Sequence, residues 1–247
     1  MATFGIEGIR HFPHARAAGV DVEDLTYVFN NCNGMDQALR NAGHSRAFYW
    51  ADGDCWEIDL NDNTKGGIDS QYADNVDLMF ISTHGNHWSG HAVLAYDSAE
   101  NNHLGDSGNW LLGDNWNLEW LMMYACETLN RDNPLDYWDL FRGLHEICGA
   151  YDLMWDGWTV DECGEDTGNN MTDGRTVADS WIDGVSDWWV DNHPMVLAIE
   201  RESTWKNGAL DWNNTTMAKD HLWGHGTTVA DISTSQKFWM SWRWAEG

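Results

Sequence analysis

Basic residues are scarce. Thirteen Lys and Arg stand against 40 Asp and Glu, for a formal net charge of −27. A surface this poor in cations cannot neutralise phosphates, which argues against nucleic acid as a partner. Long apolar runs are missing too: none approaches the roughly 20 residues of a membrane-spanning helix, so no integral membrane protein and no membrane partner is expected. The opening Met1-Ala2-Thr3-Phe4-Gly5 has no charged-then-apolar signal pattern. The expected location is cytoplasmic, with secretion after processing left open. The five cysteines, Cys32, Cys55, Cys126, Cys148 and Cys163, contain no C-x-x-C pair, which argues against a zinc ribbon or a thioredoxin-type site. Their odd number and the 247-residue length argue against a disulfide framework. There is no internal repeat and no linker, so one α/β domain is expected over 1–247, with a core at about 4–200 and a tail at 201–247.

Aromatic residues, by contrast, are plentiful, at 13% with 18 Trp, so this acidic chain can build a core where many acidic chains stay disordered. An acidic folded chain of this kind looks adapted to high salt, where self-repulsion is screened.

Hydrophobic patterning predicts alternating strands and helices. Residues 4–9 read as a first strand, and 11–19 as a loop carrying His11 and His14. Leu25, Val28, Phe29, Cys32, Met35, Ala38, Leu39 and Ala42 have helical spacing, with Asp21 as cap and Gly43 as stop. Residues 47–50 form a second strand, and the acidic, Gly-rich stretch 52–74 a solvated loop. Asn133-Pro134 opens a helix whose face carries Tyr137, Leu140, Phe141, Leu144, Ile147 and Cys148. Residues 150–155 suit a strand, 156–173 an insertion, 174–190 a helix stopped by Pro194, and 195–199 a strand. The alternation predicts a doubly wound, mostly parallel sheet flanked by helices.

Two apolar runs organise this pattern. Leu118 to Tyr124 ends in Ala125-Cys126-Glu127, and Val76 to Thr83 ends in His84-Gly85-Asn86. Both suit buried parallel strands, and the roughly 40 residues between them allow a crossover. Ligands of open α/β sheets bind at the carboxyl ends of the strands, so an imidazole and a thiol are expected at one edge.

The pair Phe80-Ile81-Ser82-Thr83-His84-Gly85 and Met122-Met123-Tyr124-Ala125-Cys126 resembles the caspase-like superfamily of cysteine peptidases, which includes caspases, legumains, gingipains and clostripain. The chain also resembles a caspase-like family that opens with Phe-Gly-Ile-Glu, here Phe4-Gly5-Ile6-Glu7. That family ends in a Trp/His/Gly-rich tail, here His221-Leu222-Trp223-Gly224-His225-Gly226. The resemblance implies a caspase-like fold and acyl transfer by a cysteine hydrolase, a peptidase first. Cys126 would be the nucleophile, His84 the general base or acid, and Gly85 a backbone donor to the oxyanion. His87, Trp88, Glu127, Trp223 and His225 are candidate substrate contacts. One departure is Glu127, where many of the peptidases carry Gln, Arg or Ser.

No cofactor is implied. A metal on His84, His87 and His91 with Asp97 is the weaker use of those histidines, because their spacing is imperfect and no helix carries them. Asp161, Glu162, Glu165, Asp166 and Asp173 suit a solvated acidic loop better than a cation site. Two alternatives stay open beside the peptidase. One is a small-molecule enzyme on the same scaffold with a Trp-lined pocket, and the other is a non-catalytic binding domain. A peptide or a small molecule is the expected substrate.

Overall fold

The structure is a computed structural model that describes residues 1–99, 102–114, 117–186, 189–201, 212–231 and 238–246. In chain order the elements are β1 (Thr3–Gly8), α1 (Pro13–Ala17), α2 (Val28–Asn41), β2 (Ser45–Ala51), β3 (Leu78–Ser82), β4 (Gly85–Trp88), β5 (His91–Ala95) and β6 (Leu104–Asp106). They continue with β7 (Trp120–Tyr124), β8 (Glu146–Ala150), α3 (Cys163–Thr172), α4 (Val177–Val185), β9 (Pro194–Arg201) and β10 (Phe238–Trp244).

Among the described residues, seven strands form one sheet in the order β10-β9-β8-β7-β3-β1-β2. The five from β2 to β8 run parallel, whereas β8-β9 and β9-β10 pair antiparallel. This is an α/β fold with a mixed, mostly parallel sheet flanked by helices, as the alternating pattern predicts. The central strands are apolar on both faces because both faces are covered. Leu78 and Phe80 of β3 and Trp120 and Met122 of β7 pack against α2, α3 and α4. Their alternates Met79, Ile81, Leu121 and Met123 face the opposite way. There they meet α1, the small antiparallel sheet β4-β5-β6, and loops anchored by Tyr96, Trp110 and Tyr137. The chain order switches direction between β1 and β3, which marks the sheet's natural ligand edge.

Several elements differ from the sequence expectation, each for a physical reason. Pro13 starts a short helix inside the stretch expected to be loop. Helix α2 starts at Val28, not at Asp21, so Leu25 packs on the core from the preceding loop. Pro134 opens only a 3-10 run, Pro134–Leu140, and Ile147 and Cys148 lie on β8. A short apolar run of this kind is ambiguous between helix and strand.

The expected insertion at 156–173 contains α3, because its glycines serve close packing and do not break the helix. A Cβ at Gly164 would strike the Asn31 backbone of α2, and one at Gly168 would sit 2.7 Å from Ala38 Cβ. The stretch 52–74 is a chain of 3-10 turns, and Glu57, Asp59, Asp62, Asp69 and Asp74 in it are buried, where a solvated loop was expected. The tail contributes β10, which caps the sheet beside β9. Trp116, Trp188 and Trp205 lie outside the described residues. Among the described residues, no helix is long and apolar enough to cross a membrane.

Candidate active site

Strands β3 and β7 pair in register from Leu78–Trp120 to Ser82–Tyr124, so their chains leave the sheet side by side. Thr83 N–H still reaches the Tyr124 carbonyl at 3.3 Å. Beyond that point Gly85 lies directly on the Ala125-Cys126 main chain. A Cβ there would collide with the Cys126 carbonyl oxygen and sit 2.8 Å from Ala125 Cβ and 2.9 Å from Thr128 Cγ2. Glycine at 85 is therefore required by close approach, not by an unusual φ. After Cys126 the chain turns sharply, with Glu127 left-handed at φ 50° and its N–H bonded to the Asp152 carbonyl at 2.9 Å.

A cleft of about 200 Å³ opens at this edge. Its floor is Ser82 at the end of β3 with Thr83 and His84 just beyond, and Tyr124 at the end of β7 with Cys126 two residues on. One wall is Leu25 from the loop before α2 and Val28 at its start, and the other is Leu153 to Asp156, which follows β8. The predicted imidazole and thiol thus line one cleft, and no hydrogen bond joins them. His84 Nε2 lies 2.8 Å from the Glu23 carbonyl. A carbonyl only accepts, so Nε2 carries the proton, and in the neutral ring Nδ1 is the basic nitrogen. The ring also rests beside Phe12, with centroids 5.2 Å apart.

Cys126 is half-buried, whereas the other four cysteines are buried. Its Sγ accepts the Met154 N–H at 3.3 Å and can donate to the Met154 carbonyl at 3.4 Å. Burial pushes this thiol above its ordinary value of 9.0. The Met154 bond pulls the other way, and Glu127 and Asp152 add to the rise. Tyr124 braces the wall by donating from its hydroxyl to the Trp155 carbonyl at 2.9 Å. The Asp156 carboxylate accepts the N–H groups of Thr26 and Tyr27 and so ties one wall to the other. Residues 153–156 escaped the sequence argument because 150–155 were predicted as strand. Their only signal was an apolar Leu-Met-Trp run ending in Asp.

The other predicted contacts lie elsewhere. His87 and Trp88 sit on the β4-β5 hairpin, Trp88 being 76% exposed, and neither lines the cleft. Nor does the Glu127 side chain. The tail histidine lies away from this edge. His225 Nε2 is 3.0 Å from His44 Nε2, and His44 Nδ1 accepts the Ala2 N–H at 2.9 Å. That places His225 at the amino ends of β1 and β2, the opposite end of the sheet from His84 and Cys126. Trp223 packs with the helix-side core. The His84, His87, His91 and Asp97 set does not converge: His91 pairs with Asp106 at 2.8 Å, and Asp97 binds His14 at 3.1 Å. Among the described residues, no group of three metal-ligating side chains gathers.

The family model described as Domain of unknown function (DUF6345) matches residues 6–246. No curated protein matches the chain by sequence. Among solved structures, the chain is similar to the Drosophila initiator caspase Dronc at 12% identity and TM-score 0.42, over 74% of this chain and 70% of that one. It is also similar to caspase-1 from Spodoptera frugiperda at 12% identity and TM-score 0.44, over 76% of this chain and 77% of that one.

Proposed function

This chain belongs to the family described as Domain of unknown function (DUF6345), and we propose that it is a cysteine-dependent hydrolase acting on peptide bonds, with Cys126 as nucleophile and His84 as base. The observation that supports this reading is the cleft itself. Gly85 packs on the Cys126 main chain, and both His84 and Cys126 line the same opening at the carboxyl edge of the sheet. Sγ of Cys126 would attack the carbonyl carbon while its proton passes to Nδ1 of His84. The C–N bond then breaks, the amine leaves with that proton, and water hydrolyses the thioester to return the thiol. Backbone N–H groups of Gly85 and Cys126 would receive the oxyanion. The high thiol pKa fits proton removal during attack rather than a resting ion pair.

A second reading, a binding domain on the same scaffold, is favoured by the missing His84–Cys126 hydrogen bond. A pool of peptidyl acyloxymethyl ketones separates the two. Covalent labelling of Cys126 in the folded protein, lost in Cys126→Ala and slowed in His84→Ala, supports the hydrolase. Labelling only after unfolding supports the binding domain.

A further inference from the structure

Beyond Asp156 the chain passes through Gly157 and Trp158 to the start of α3. Trp158 is 75% exposed, and Trp189, after α4, is 68% exposed. Scattered surface tryptophans need no explanation, but these two border one depression of about 640 Å³. Thr159, Asp161 and Glu162 complete its lining, and none of these residues is cationic.

Among the described residues, the charges that line the depression have one sign. Asp161 and Glu162 precede α3, and Glu165 and Asp166 lie in its first turn. A helix N-terminus carries roughly half a positive charge, which the two lining carboxylates, Asp161 and Glu162, exceed. Asp161 accepts the Asn30 side-chain amide at 2.8 Å, a neutral donor that does not cancel its charge. An apolar ligand would use the indoles and waste the carboxylates. An inorganic cation would use the carboxylates and waste the indoles. An organic cation uses both, because a positive group over an indole face is attracted by the ring quadrupole while a nearby carboxylate supplies the counter-charge.

We propose that the Trp158–Trp189 depression binds an organic cation, a quaternary ammonium or guanidinium group held against the indoles with Asp161 and Glu162 as counter-charges. The proposal does not depend on any chemistry at Cys126. Calorimetric titration of the full chain in 0.2 M NaCl tests it, with choline, its neutral isostere 3,3-dimethyl-1-butanol, and N-acetyl-arginine amide as probes. The expected result is saturable binding of at least one cation, with the isostere about tenfold weaker or worse. Binding of choline alone identifies a free quaternary ammonium ligand, and binding of the arginine amide alone identifies a basic peptide side chain. Trp158→Ala weakens binding about tenfold. The pair Asp161→Asn and Glu162→Gln weakens it and flattens its dependence on salt. Both substitutions are at the surface, and unchanged circular dichroism confirms that the variants fold. Equal binding of the isostere, no binding of either cation, or full affinity in folded Trp158→Ala overturns the proposal.

Discussion

The carboxylate of Asp156 holds the backbone N–H of Tyr27 at 2.7 Å, across 129 residues of chain, and takes the N–H of Thr26 as well. Tyr27 is the N-cap of α2 and offers no side-chain cap of its own. Asp156 therefore caps this helix from another loop and ties the two walls of the cleft together.

Asp156→Ala removes both acceptors. The expected cost is about 1–2 kcal/mol, the usual range for a lost helix cap, or a Tm lower by roughly 2–8 °C in a chain of this size. Because the walls also part, alkylation of Cys126 by iodoacetamide should be faster than in the parent. Thermal denaturation and peptide mapping read the two effects separately. A variant with parental Tm and parental alkylation rate would remove the tie from the account.

Gly85→Ala is the sharper test of how the two strand ends meet. The new Cβ has no space beside the Cys126 carbonyl, and its neighbours there are main chain and short side chains, which cannot swing away. Overpacking of this kind costs about 1–3 kcal/mol, so a lower midpoint in urea is expected, together with slower labelling of Cys126 by a peptidyl probe. An alanine variant of parental stability would mean that the β3 and β7 ends are not in contact.

Much of this arrangement was legible in the sequence, and the exceptions share a cause. The runs ending in His84-Gly85 and Ala125-Cys126 were readable because both strands are buried on both faces, so every residue is apolar until the chain leaves the sheet. Helix α2 was readable through Val28, Cys32, Met35 and Leu39, which share one face. Its start was not, because its cap, Asp156, lies far away in sequence. Helix α3 was hidden by Gly164 and Gly168, which look like loop residues until a neighbouring helix is seen to need the space. The buried acids of 52–74 were hidden because charge alone predicts solvation. The His225–His44 contact had no local signal at all.

Those buried acids set the pH dependence of stability. Burial raises Asp59 and Asp69 to about 6, Asp74 to about 8 and Glu119 to about 9. Burial works against charge on His145, but its bond to Asp220 and the nearby Asp231 carboxylate outweigh that and raise it to about 9. Free carboxylates titrate near 4, so between pH 4 and these values the folded protein holds protons that the unfolded chain releases. Stability therefore falls as pH rises through that window. His145 has the same sign: its contribution is complete below about 6.5 and is lost as pH rises through about 9. Asp24 and Asp231 are shifted down, so their contribution disappears only in acid. The expected profile has its maximum near pH 4, falls from there, and gives a Tm lower by about 5 °C or more at pH 9 than at pH 5. A Tm that rises from pH 6 to pH 9 would contradict it.

Salt should act on the same balance. With a net charge of −27, surface repulsion opposes the compact state, and the screening length contracts from about 10 Å at 0.1 M salt to about 3 Å at 1 M. We propose on this ground that the chain is salt-adapted. Its Tm should rise by at least about 5 °C between 0.1 and 2 M NaCl, with KCl matching it. Chloride salts are the right choice, since sulfate would stabilise any protein by exclusion from its surface. A flat profile argues for an acidic protein without salt adaptation.

The thiol's own chemistry separates two ways in which a cysteine and a histidine cooperate. In a resting ion pair the imidazole holds the proton, the thiolate exists at neutral pH, and iodoacetamide labelling reaches a plateau near pH 6–7. Here burial holds Cys126 above 9.0, and Met154, not His84, contacts its sulfur. The thiolate is then the minor form at pH 7. Labelling of folded protein should be slow at pH 7, climb about tenfold per pH unit, and show no plateau below pH 9. His84→Ala should leave this profile almost unchanged. The same variant should label about 100-fold more slowly with a peptidyl probe at pH 7, because there the base is needed during attack. Cys126 should be the first of the five cysteines modified, since the other four are buried. A plateau near pH 7 that disappears in His84→Ala would instead establish a resting ion pair, with Nδ1 of His84 holding the proton while Nε2–H stays on the Glu23 carbonyl. Equal labelling of parent and His84→Ala by both reagents would remove His84 from the chemistry.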